Sequence, residues 1–144
     1  MKNILVSIDF GEKYSLLIDK ASELAGKSGS KIWLLHVAAP DPDFVGYDVG
    51  PQYIRDFRAE DLKEEHKTLS HLVDLLEKNG FETEALLIQG ATAEMVLSES
   101  QKLHVDLVIL GHQEHSLLYE TFVGSKSISI INKSKIPVLI VPMV

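Results

Sequence analysis

The sequence predicts an α/β fold on a parallel sheet, and three observations carry that prediction. Short apolar runs alternate with longer segments of helical period, the pattern of successive βαβ units. One of those runs, Asp106-Leu107-Val108-Ile109-Leu110, is apolar at every position after its first, as a strand covered on both faces must be. At 144 residues the chain has the length of one domain and enough material to bury a core.

Taken in order, Ile4-Leu5-Val6-Ser7-Ile8 reads as a first, buried strand. Leu16, Leu17, Ala21, Leu24 and Ala25 recur at helical spacing, and Gly26 and Gly29 punctuate the end of that helix. Lys31 to Val37 forms the second strand. A stretch rich in proline and glycine follows, from Pro40 to Gln52, long enough to be read as a functional connection. A charged helix is expected from about Tyr53 to Lys78, with Phe57, Leu62, Leu69, Leu72, Val73 and Leu76 towards the sheet; Asn79-Gly80 closes it. Glu84 to Ile88 is the third strand, ending at Gln89-Gly90. Thr92 caps a third helix that runs to about Leu103, with Glu94 in its first turn.

The fourth strand, Asp106 to Leu110, runs straight into Gly111. A loop from His112 to Val123 leads to Gly124-Ser125 and a short helix with Ile128 and Ile131 on one face. Pro137-Val138-Leu139-Ile140-Val141-Pro142 is the last strand. The count is five strands and four helices in a single domain over residues 1–144, without repeat or linker.

Composition narrows the function. A formal net charge of -7, from 21 acids against 14 Lys and Arg, argues against nucleic acid or an anionic membrane as the main partner. No cysteine is present, so neither disulfide nor thiolate chemistry is available, which fits a reducing cytoplasm. The first apolar run meets a carboxylate at Asp9, too early for a signal peptide. A soluble, cytoplasmic protein is the expectation.

In an open parallel sheet, ligands bind beyond the carboxyl ends of the strands, where strand order reverses. Asp9, Val37 and Gly111 stand at such ends. Gly124-Ser125 opens a helix, where free N–H groups and the positive end of the dipole favour phosphate. Taken singly, each has a plainer role, since Asp at a strand end is commonly a turn residue and Gly-Ser before a helix a common cap.

Together, Asp9 after Ile4-Leu5-Val6-Ser7-Ile8, the strand Leu34-Leu35-His36-Val37, Asp106 to Gly111, Gly124-Ser125 and the run Pro137 to Pro142 resemble the universal stress protein family. The resemblance implies a doubly wound, Rossmann-like sheet of five strands in the order 3-2-1-4-5, with helices on both faces. It implies an adenine nucleotide such as ATP, with Asp9 and Val37 at adenosine and Gly111, Gly124 and Ser125 at phosphates. Nucleotide-binding members carry Gly, two residues, Gly, nine residues, Gly, then Ser or Thr. Here Gly111, Gly124 and Ser125 fall at that spacing, but Glu114 replaces the middle glycine. At an effective dielectric near 20, a carboxylate about 4 Å from a phosphate charge costs on the order of 4 kcal/mol.

Two readings follow: a nucleotide-binding stress protein, or the same fold acting as a dimeric interaction module without nucleotide. A hydrolase is the weakest class, since no base or nucleophile stands out, and slow ATP turnover is the most to expect. A flavodoxin-like protein would need a phosphate loop after the first strand, and Phe10-Gly11-Glu12-Lys13 lacks it.

His112-Gln113-Glu114-His115 offers too few convergent ligands for zinc, so no metal is expected. His36 is read as a hydrogen-bonded core residue. Glu60, Asp61, Glu64 and Glu65, mixed with Lys63 and Lys67, read as a solvated helix face. The last strand, bracketed by Pro137 and Pro142, is an apolar edge, and a homodimer paired through it is the expected assembly. The connection from Pro40 to Gln52, with Phe44 and Tyr47, is the expected lid.

Overall fold

Five strands form one all-parallel sheet in the order 3-2-1-4-5. A computed structural model describes residues 1–10, 13–38, 52–90, 92–112 and 130–143, with side chains of the helix over 52–78 described from Leu62 onward. The elements are β1 (Asn3–Ser7), α1 (Ser15–Ser28), β2 (Lys31–Ala38), α2 (Gln52–Lys78), β3 (Thr83–Gln89), α3 (Thr92–Lys102), β4 (Leu107–His112) and β5 (Val138–Pro142). Residues 130–133 are helical ahead of β5. His112 ends β4 instead of opening the loop, and Gln52 opens α2 instead of closing the expected lid. The rest of the loop His112 to Val123, Gly124, Ser125, Ile128 and the rest of the connection Pro40 to Gln52 lie outside the described residues.

Alternation along the strands sorts the core into two layers. Ile4, Val6 and Ile8 join Ile32, Leu34 and Ile109 on one side, under Leu17, Ile18, Ala21 and Ala25 of α1 and Leu69, Leu72 and Leu76 of α2. Leu5, Leu35, Val108 and Leu110 face the other way, against Val96 of α3 and Ile130. Helices therefore cover both faces. β1 sits centrally between β2 and β4, which is why Ile4, Leu5 and Val6 are all 0% exposed.

Several expectations need correction. Gly26 does not end α1 but lies inside it; only Gly29 is the cap, with φ 73° and its N–H donating to the Ala25 carbonyl at 2.8 Å. In the short helix Ile130 packs into the core and Ile131 is exposed, while Ile128, expected on one face with Ile131, lies outside the described residues. Asp106 precedes β4 instead of opening it. Its Oδ2 accepts the N–H groups of Lys2 at 2.7 Å and Asn3 at 2.9 Å, and its own N–H donates to the Asn3 carbonyl at 2.8 Å. Those two backbone donors hold the Asp106 carboxyl below the usual aspartate range.

Candidate functional site

The site is built by register. β1 pairs with β2 so that Ser7 stands beside Leu35, and Asp9, two residues further on, leaves the sheet level with Val37. On the other side Val6 stands beside Ile109, which brings Gly111 level with Ile8, one residue short of Asp9. α1 returns from β1 to β2, whereas β4 joins β1 from the opposite direction. Strand order therefore reverses at β1. Asp9, Val37 and Gly111 thus come to one edge of the sheet, at the carboxyl ends of neighbouring strands. Gly124 and Ser125 lie outside the described residues, and so does Glu114.

Each of the three has a distinct local setting. Asp9 is exposed, and a carboxylate is a hydrogen-bond acceptor. Val37 is half-buried on the α3 side of the sheet, packed on the second core layer. Gly111 has a packing reason of its own. A Cβ there would stand 3.1 Å from Cγ and Sδ of Met143, tighter than ordinary contact. Met143 is buried over β4, and its N–H donates to the His112 carbonyl at 2.8 Å.

A second cluster, of His36, Glu65, Phe10 and Tyr14, lies beside Asp9. His36 is a buried, hydrogen-bonded residue, as expected: its Nδ1 lies 2.7 Å from the Ile8 carbonyl oxygen. A carbonyl only accepts, so Nδ1 carries the hydrogen. The opposite nitrogen, Nε2, is 3.4 Å from Glu65 Oε2, a charge-range contact rather than a formed hydrogen bond. Glu65 therefore leaves the solvated face on which it was read and turns inward, while Lys63, Glu64 and Lys67 stay exposed. The side chains of Glu60 and Asp61 lie outside the described residues. Phe10 lies against the imidazole at 4.6 Å between centroids, and Tyr14 meets Phe10 edge-on at 5.6 Å. The signal for Glu65 was its spacing: it falls four residues before Leu69 and seven before Leu72, on the buried stripe of α2.

Among the described residues, no group of three or more His, Asp or Glu side chains is arranged to hold a metal ion. No described helix is long and apolar enough to cross a membrane.

A doubly wound parallel sheet with its candidate site at the switch point defines a Rossmann-like α/β protein. Within that class the chain belongs to the universal stress protein family, whose sequence profile matches residues 1–142. It is similar to universal stress protein C of Salmonella typhimurium, 31% identical over 142 residues that make up 98% of this chain and 95% of that protein. Among solved structures it resembles a universal stress protein in complex with cAMP, with a TM-score of 0.73 at 19% identity over 99% of this chain and 98% of that one. It also resembles the universal stress protein from Archaeoglobus fulgidus in complex with dAMP, with a TM-score of 0.68 at 20% identity over 97% of each chain. At those identities the likeness shows a shared fold.

Proposed function

We propose that this universal stress protein binds an adenine nucleotide at the carboxyl ends of β1, β2 and β4. Asp9 and Val37 hold the adenosine part, and Gly111, Gly124 and Ser125 meet the phosphates. The observation that carries the reading is the register that brings Asp9, Val37 and Gly111 to one edge at the switch point. Two structures of the same fold, in complex with cAMP and dAMP, support an adenine ligand over other small molecules. The same reading takes the chain as one domain working in the cytoplasm, a compartment that a cysteine-free sequence suits, and as a dimer paired through β5.

The test is the ligand content of purified protein, released by denaturation and read by mass spectrometry. Near-stoichiometric adenine nucleotide is the expected result. Asp9→Ala should weaken AMP and ATP alike, by about ten- to hundredfold for a hydrogen bond to a charged group. Glu114→Gly should tighten ATP more than adenosine, because only ATP brings phosphate charge near that position. Calorimetry measures both, and an unchanged affinity for Asp9→Ala with an intact fold would remove Asp9 from the site.

A second reading is a dimeric interaction module that has lost nucleotide binding. One observation favours it: Met143 packs where a side chain at 111 would go, so the first motif glycine is explained without any phosphate. Protein free of nucleotide that does not take up ATP at millimolar concentration would decide for this second reading.

A further inference from the structure

Ile8 is the last residue that the sheet holds before the chain reaches Asp9. Its N–H donates to the Leu35 carbonyl at 2.8 Å, which continues the β1–β2 ladder one step past Ser7. Its carbonyl instead takes the Nδ1–H of His36 at 2.7 Å, a side-chain bond at the point where the strand ends. A peptide unit is planar, so fixing the Ile8 carbonyl also fixes the direction of the Asp9 N–H and the start of the Asp9 residue. The ring that makes this bond is itself held. His36 is 8% exposed, Phe10 covers it at 4.6 Å, and Glu65 reaches its far nitrogen from α2.

We propose that His36 is a positioning residue for the Asp9 turn, fixing the Ile8–Asp9 peptide plane from β2 while Phe10 packs against the ring. The inference rests on the nucleotide reading for its consequence in binding, but not for the placement of the turn. His36 does not touch ligand; it acts through the backbone that carries Asp9. The ring is fixed by the hydrogen bond at Nδ1 and by the packing of Phe10, with Glu65 Oε2 3.4 Å from Nε2.

Two substitutions separate this from a role in core packing. His36→Asn can place an amide N–H near the position of Nδ1 and keep the bond to Ile8, whereas His36→Leu fills similar space without a donor. AMP and ATP affinity by calorimetry, melting temperature, and the amide shift and hydrogen exchange of Asp9 are read together. His36→Leu should weaken both nucleotides by about tenfold and move the Asp9 amide, and His36→Asn should recover most of both. Leu69→Ala serves as the packing control: it should melt lower than wild type with its affinity unchanged.

Equal loss in both His36 variants would overturn the proposal, because the bond to Ile8 would not be the carrier. So would wild-type affinity and an unmoved Asp9 amide in His36→Leu. If wild-type protein binds neither nucleotide, the functional reading fails by itself. The Asp9 amide in His36→Leu against His36→Asn then still decides whether His36 positions the turn.

Discussion

Gly26 and Gly29 stand close together on the sequence and answer to opposite demands. Gly26 lies inside α1, and a Cβ there would meet Phe81 at 3.9 Å, an ordinary contact. Gly26→Ala should therefore stabilise the protein by about 0.5–1 kcal/mol, through the lower backbone entropy of the unfolded chain. Gly29 has φ 73°, where an L side chain crowds its own carbonyl, so Gly29→Ala should cost about 1–2 kcal/mol. Urea denaturation of both variants checks the pair, and a shared sign would contradict the geometry. The sequence shows both glycines near a helix end, but not which carries the left-handed turn, since that depends on where the last hydrogen bond closes. His36 and Glu65 teach the same lesson about sites. Each was legible as a type of residue, one apolar-strand histidine and one helix acid, yet their meeting depends on how α2 lies against β2. No local pattern records that.

At the scale of elements, apolar runs mark every strand to within two residues, and burial on both faces leaves the central strands β1 and β4 little choice of side chain. The short helix before β5 is less legible. Its adjacent isoleucines, Ile130 and Ile131, both suit a core, and the sequence does not record that Ile130 joins the layer of Leu5, Val96 and Val108 while Ile131 is exposed. Asp106 shows how an element boundary can carry energy. Its carboxylate ties the start of β1 to the start of β4 through two backbone N–H groups, which lowers its proton affinity in the folded state. A depressed folded-state value means the contribution is present above the unfolded aspartate range, near pH 4, and is lost as the pH falls through the lower folded value. The urea midpoint of wild type should therefore exceed that of Asp106→Asn at neutral pH, and the two should converge below about pH 4. A gap that widens in acid would show that the clasp has been misassigned.

For the whole molecule, the open question is what meets the β5 edge. β5 ends the sheet order, and its residues Val138 to Val141 are only half-buried. The proposed dimer uses this edge, and the two core layers distinguish its side chains. Leu139 packs on the α1 and α2 side, and Ile140 on the α3 side, next to the helical residues where Ile131 is 49% exposed. Ile140→Lys should therefore loosen dimers more than Leu139→Lys, because the exposed Ile131 belongs to the short helix whose Ile130 packs in the same layer as Ile140. Sedimentation of the two variants measures this, and a wild-type monomer at micromolar concentration would end the idea. The central place of β1 also bears on how the chain is made. β1 leaves the ribosome about a hundred residues ahead of β4, so at ordinary translation rates one flank of the middle strand waits on the order of 5–20 s for its partner. During that interval a strand whose Ile4, Leu5 and Val6 end fully buried has a bare edge, and the nascent polypeptide presents a natural foothold for a chaperone.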